Sequence, residues 1–149
     1  SADKFGALIT QWADKKKLDL DKVARAFVIQ ISTNIILKTP VGNPDLWKSK
    51  APSGYTGGRA RNNWFASVST PSNETTSNKA KSGQAAINKA KAVSKNLKVG
   101  QVYYLTNNLP YIRRLEYEGW SSIQAPAGML RISVTEAEQA LINAINSIK

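Results

Sequence analysis

The run Leu20-Asp21-Lys22-Val23-Ala24-Arg25-Ala26-Phe27-Val28-Ile29-Gln30-Ile31-Ser32-Thr33-Asn34-Ile35-Ile36-Leu37-Lys38 decides how the rest of the chain must be read. Leu20, Val23, Ala24, Phe27, Ile31 and Ile35 recur at three- and four-residue steps, the signature of an amphipathic helix. Val28, Ile29, Ile36 and Leu37 widen the apolar face, so this helix is expected to be covered on more than one side. Asp19 stands at its start as a cap, with Asp21 in the first turn. Pro40 ends it, because a residue before proline is pushed out of the α region.

Upstream, Leu8, Ile9 and Trp12 predict a first helix after Asp3, read as its N-cap, and Lys15-Lys16-Lys17 breaks its stripe. Downstream, residues 40–63 hold Pro40, Gly42, Pro44, Pro52, Gly54, Gly57 and Gly58, the composition of a long loop. Residues 63–70 alternate as a strand, with Trp64, Ala66 and Val68 on one side. Residues 71–83 are polar loop, and Asn73-Glu74-Thr75 within it matches a glycosylation pattern by chance. Ala86, Ile87, Ala90, Val93 and Leu97 mark a helix over 84–98, and Gln101–Thr106 a strand. Residues 111–117 follow the Asn107–Pro110 turn as a strand or short helix. Met129–Val134 reads as a last strand. Thr135 with Glu138 reads as a capping box opening a C-terminal helix on Ala137, Leu141, Ala144, Ile145 and Ile148. The expected fold is α+β, one domain over residues 1–149. A small, mostly antiparallel sheet packs against N-terminal, middle and C-terminal helices, with long loops.

Composition narrows the chemistry. The 149 residues contain no Cys and no His. Disulfides, thiolate nucleophiles, Cys-ligated zinc and imidazole bases are therefore excluded. No apolar run reaches the ~20 residues of a membrane span, and the start lacks the pattern of a secretory signal. Ser1 reads as what remains after removal of an initiator Met. Gly57-Gly58-Arg59 lacks the rest of a phosphate-binding P-loop. Glu116 and Glu118 read as ion-pair partners of Arg113 and Arg114 rather than as an acid–base pair. No catalytic, cofactor or metal site is expected.

The net charge of +11 is concentrated in the middle of the chain. From Lys38 to Lys98, eleven basic residues stand against two acids, Asp45 and Glu74. Lys79, Lys81, Lys89, Lys91, Lys95 and Lys98 make up the densest part. Such a segment faces a polyanion, either nucleic acid or an acidic protein surface, or is a solvated helix face. No zinc-finger or RNP pattern supports sequence-specific reading of nucleic acid. In the long loop, Trp47 and Tyr55 read either as anchors for another protein or as side chains folded back on their own core.

Three segments, taken in order, the last in two parts, resemble one family. They are Thr39-Pro40-Val41-Gly42-Asn43-Pro44, then Gly57-Gly58-Arg59-Ala60-Arg61-Asn62-Asn63-Trp64, then Asn107-Asn108-Leu109-Pro110-Tyr111-Ile112 through Leu115-Glu116-Tyr117-Glu118-Gly119, and Gln124-Ala125-Pro126-Ala127-Gly128-Met129. They are similar to the tail-component family of tailed bacteriophages, which includes the minor tail protein Z-like tail-completion or neck proteins. The likeness runs over about residues 20–149. It departs from the family pattern where Asn43 to Thr56 separate the first two segments, where the glycine is doubled before Arg59, and where Tyr117-Glu118 stand before Gly119.

The resemblance implies a virion structural protein, assembled in the host cytoplasm, that forms a ring at the head–tail junction, commonly sixfold. Its partners would be further copies of itself, a connector or head-completion protein, and a tail terminator or tail tube protein. DNA in the channel is a possible non-specific contact. Subunit or partner contacts are expected at Trp47, Tyr55, Arg59, Arg61, Tyr111, Arg113, Arg114, Glu116 and Trp120, with the lysine-rich face turned to DNA or an acidic partner. The competing readings are a basic nucleic-acid-binding module and a tail terminator that caps the tube.

Overall fold

A computed structural model describes the backbone of residues 2–16, 19–118, 120, 121, 124, 125 and 127–148, and their side chains apart from those of residues 2 and 12–16. The side chain of Trp12, the Lys15–Lys17 side chains, Gly119 and Pro126 lie outside the described residues. Among these residues the order is α1 (Ala2–Lys16), α2 (Leu20–Lys38), a 3-10 turn (Pro44–Leu46), α3 (Arg59–Asn62), β1 (Trp64–Val68), α4 (Gln84–Ser94), β2 (Tyr103–Asn107), α5 (Ile112–Tyr117), α6 (Leu130–Thr135) and α7 (Ala137–Ser147). The fold is α+β, about half helical, with one small antiparallel sheet.

Helix α2 is the central element. Asp19 caps it, its side chain accepting from the Asp21 N–H at 2.9 Å. It touches α1, α3, α4, α6 and α7, most extensively α7 and α4. That environment explains why its apolar residues run around the cylinder instead of along one stripe. Near its start, Val23 meets Leu141 and Ile145 of α7, with Phe5, Leu8, Ile9 and Phe27 packed around them. Toward its end, Ile35 and Ile36 join Trp64, Ala86, Ile87, Leu109, Leu115 and Met129 in the main core.

The two strands pair antiparallel, with Trp64 opposite Asn107 and Val68 opposite Tyr103. They are not a hairpin: the polar 71–83 segment and α4 lie between them. Helix α4 packs on β1. Both Trp64 and Phe65 are buried, although neighbouring strand residues point to opposite faces. Trp64 enters the main core, and Lys89 of α4 lies over the Phe65 ring, 4.9 Å from its centroid. Both faces of the strand are therefore covered at this point, which simple alternation did not anticipate.

Three local expectations are corrected, and the choice between strand and short helix over 111–117 is decided. Asp3 lies inside the first turn of α1 and is not its cap. Residues 112–117 are helix, because Ile112 and Leu115, three apart, both turn to the core. Residues 130–135 are helix where a last strand was expected, so among the described residues the sheet has two strands. Thr135 belongs to α6, where its hydroxyl donates to the Ile132 carbonyl at 2.7 Å. The last helix follows Glu136 with no side-chain cap, so the expected capping box does not form. Met129 is fully buried and α6 touches both α2 and α7. Tertiary packing there outweighs the β preference of Ile132 and Val134.

The end of α2 is tied to the rest of the core by a buried hydrogen bond. The Thr39 hydroxyl donates to the Ile35 carbonyl at 2.8 Å and accepts from Trp64 Nε1 at 2.7 Å. Replacing Thr39 by Val keeps the shape but leaves the buried indole N–H without an acceptor. Thr39→Val is expected to lower unfolding stability by about 1–3 kcal/mol, seen as a reduced urea midpoint with unchanged slope.

Candidate functional site

The end of α2 also organises the surface above it. Arg61 projects from α3 and donates through Nε to Thr39 O at 3.0 Å, through Nη2 to Leu37 O at 3.0 Å and through Nη1 to Lys81 O at 2.7 Å. Two of these oxygens are among the carbonyls that the end of α2 leaves unpaired. A guanidinium placed there also faces the negative end of the helix dipole. Burial pulls the Arg61 pKa below its ordinary value, and the side chain remains a cation. Its fork is thus engaged within the chain.

Asn62 and Asn63 fasten the polar 71–83 segment beside α3. Asn62 donates to Gly58 O and Ala80 O at 2.8 and 2.7 Å. Asn63 donates to Thr76 O at 2.9 Å and accepts from the Thr76 N–H at 2.9 Å. Gly58 has φ 112, and a side chain there would run into the Lys79 backbone. Glycine is therefore required on conformational and steric grounds. At Gly57 the obstacle is the backbone of Gly42. The two glycines let the 40–43 and 57–60 segments lie against one another.

These approaches leave a cleft of about 940 Å³ between the 40–58 loop, α3 and the start of α5. Five of the expected contact residues line it: Trp47, Tyr55, Arg59, Tyr111 and Trp120. Trp47 and Tyr55 contact each other at a centroid distance of 4.7 Å with tilted rings, and both stay exposed. Arg59 uses Nε to reach Thr76 O at 3.3 Å. Burial raises the Tyr111 pKa above its usual value, Arg59 opposes the rise and Tyr55 adds to it. The phenols and the guanidinium thus share one electrostatic neighbourhood. Gln124 closes the far wall, donating to Val41 O at 2.8 Å and accepting from Val41 N at 2.9 Å.

The remaining expected contact residues lie on α5. Arg114 stacks over the cleft residue Trp120, 4.8 Å from its ring, and pairs with Glu118 at 3.9 Å. That exposed pair contributes little to stability. Arg113 and Arg131 both lie over Tyr117, at 5.8 and 5.1 Å. Glu116 departs from its expected pairing with Arg113 and Arg114. It is buried and accepts from the N–H groups of Met129, Leu130 and Arg131 at 2.7, 2.9 and 2.9 Å, and from Arg131 Nε at 3.3 Å. The Arg131 terminal nitrogen also donates to the Glu116 carbonyl. One carboxylate therefore joins α5 to the opening turn of α6.

Lys79 lines the cleft, while Lys81, Lys89, Lys91, Lys95 and Lys98 are exposed on or near α4. None of these six has an ion-pair partner among the described residues. Sequence reasoning missed Lys48 and Gln124 in the cleft and Arg131 on Glu116. Lys48 and Gln124 stand within segments already singled out, but nothing in their spacing joins them. No cluster of acidic residues suited to a metal occurs among the described residues, and no described helix is long and apolar enough to cross a membrane. No family model, curated protein or solved structure matches the chain.

Burial alone would raise the Glu116 pKa, but the N–H groups of Arg131, Met129 and Leu130 and the Arg131 side chain outweigh it, leaving the value below the ordinary 4.5. A folded pKa below the unfolded one means that the carboxylate's stabilisation is complete above the unfolded value. It is lost as pH falls through the folded one. Glu116→Gln is expected to destabilise by about 2 kcal/mol at neutral pH. The gap to the unsubstituted protein should close on acidification below the ordinary carboxylate range, as followed by urea unfolding across pH. A gap independent of pH would show that the charge at Glu116 contributes nothing.

Proposed function

We propose that this chain is a virion structural protein of a tailed bacteriophage, acting as a ring subunit that joins the head connector to the tail tube. The observation that carries the reading is spatial. The three segments that resemble tail-completion and neck proteins are separated in sequence, yet each contributes to the same cleft: Pro40 from the first, Arg59 from the second, and Tyr111 and Gln124 from the two parts of the third. A convergence of that kind fits a surface kept for contact with another protein. Exposed aromatics beside arginine, as at Trp47, Tyr55, Trp120 and Arg114, are the residue types enriched at the energetic centres of interfaces.

A ring subunit needs head-to-tail contacts whose rotation closes. On this reading the cleft side serves one contact, with the neighbouring copy or the next ring. The unpaired lysines of α4 face DNA in the channel or an acidic partner. No covalent step is assigned to the chain: it lacks His and Cys, and the bonds made by Glu116 are those of a structural support.

Two outcomes test this. Particles assembled without the chain should accumulate as DNA-filled heads and separate finished tails in electron micrographs; joined, infectious particles would refute the reading. Reversing charge together at Lys89, Lys91 and Lys95 should block joining while leaving the melting temperature within a few degrees. Normal particles from that variant would mean that the lysines only keep the chain soluble. Lower affinity for duplex DNA in the variant, falling steeply with salt, would mark DNA as the partner of this face.

A further inference from the structure

The cleft carries three chemistries at once. Arg59, Lys48 and Lys79 supply positive charge, and no acidic residue occurs among its described lining. The two terminal nitrogens of Arg59 have no hydrogen-bond partner among the described residues, since only its Nε is engaged. Leu46, Trp47 and Trp120 bring apolar surface that is still exposed. The third feature is main chain. Gly42, Lys48, Ser49 and Thr56 all line the cleft, and their backbone groups make no hydrogen bond among the described residues.

From this combination we infer that the cleft seats an extended acidic peptide segment bearing an aromatic or large aliphatic side chain, supplied by a different protein of the assembly. The inference rests on reading the chain as an assembly subunit, and it names the partner's chemistry at that surface. Carboxylates would take the free fork of Arg59, for which a planar guanidinium is suited. The apolar side chain would lie against Trp47 and Trp120. Main-chain groups without partners among the described residues can exchange hydrogen bonds with the backbone of a bound peptide. Stacked aromatics and cations alone would also suit single-stranded nucleic acid. A peptide, however, also brings an aliphatic side chain to the exposed Leu46, which a nucleic acid strand does not.

The volume of about 940 Å³ lies at the upper end of the roughly 300–1,000 Å³ usual for ligand clefts. A second copy of this chain is a poor occupant. It carries +11, and three of its carboxylates are already paired, Glu116 with Arg131, Glu118 with Arg114 and Glu136 with Lys38.

The test uses the full chain and a displayed library of random peptides of about twelve residues, long enough to span such a groove when extended. Enriched peptides are titrated by fluorescence polarisation. They should contain Asp or Glu beside an aromatic residue or Leu. Arg59→Glu should weaken them about tenfold or more, and Trp47→Ala comparably, while Lys22→Glu, exposed on α2 and outside the cleft, should change affinity less than about twofold. If Arg59→Glu does not fold, Lys48→Glu in the exposed loop gives the same readout. Recovery of no acidic peptide overturns the inference, as does undiminished binding by the folded cleft variants. Tighter binding of an oligo-dT strand than of any peptide, lost on the same variants, also overturns it and assigns the cleft to nucleic acid. Failure here together with unjoined heads and tails in particles lacking the chain would refute the cleft assignment alone. Peptide binding together with particles that join without the chain would refute the virion reading alone.

Discussion

The carbonyl oxygens at the C-terminal end of α2 lie at the edge of a packed core, and their need for partners shapes much of the molecule. A buried helix end cannot leave such groups unsatisfied. Thr39 folds its own N–H and hydroxyl back onto Ile35 and Ile36. Arg61 reaches the carbonyls of Leu37 and Thr39 from α3, and Trp64 completes the junction by donating to Thr39. Satisfying that end therefore brings together residues more than twenty positions apart. It fixes where β1 begins and places the Gly57-Gly58 corner against the 40–43 segment. The cleft is the space left over when these constraints are met.

A second junction works by the same physics with the opposite charge. Glu116 accepts the first N–H groups of α6, where an anion is favoured by both orphan donors and the helix dipole. The Arg131 guanidinium closes the arrangement from outside. Arg61 and Glu116 are the charged groups most deeply committed to the fold. By contrast, Arg59, Arg113, Arg114 and the α4 lysines remain at the surface. Their work, on the reading proposed above, is done against other molecules. The separation of charges into two classes, one joining elements and one left exposed, is visible only once the packing is known.

Reading the chain as a ring subunit gives its irregular segments a common purpose. The 40–58 loop holds little internal hydrogen bonding, yet its ends are tied by Gln124 and by the Gly42–Gly57 approach. A loop held at its ends with open main chain between them can accept another polypeptide at low ordering cost, because less freedom remains to be lost. The 71–83 segment is different. It is polar throughout but strapped by Asn62, Asn63 and Asn108, so it behaves as part of the scaffold. Composition alone placed both in one category.

Periodicity and punctuation were enough to read α2, its Asp19 cap, its stop at Pro40, the helix on Ala86 and Ala90, and both strands. Each of these rests on neighbours along the chain: a cap two residues from its donor, or a repeat of three and four. The aromatic and basic character of Trp47, Tyr55, Arg59, Tyr111 and Trp120 was equally legible, and so was the exclusion of His and Cys chemistry. Their meeting in one cleft was not legible, since it depends on three connections that cross twenty to eighty positions of sequence. The same holds for the helical state of residues 130–135, where burial of Met129 and the carboxylate of Glu116 override the preference of β-branched residues. Local pattern determined which elements exist and which side chains have chemistry to offer. Only the packed structure, by demanding partners for buried helix ends, decided which of those side chains are held inside and which are left at the surface.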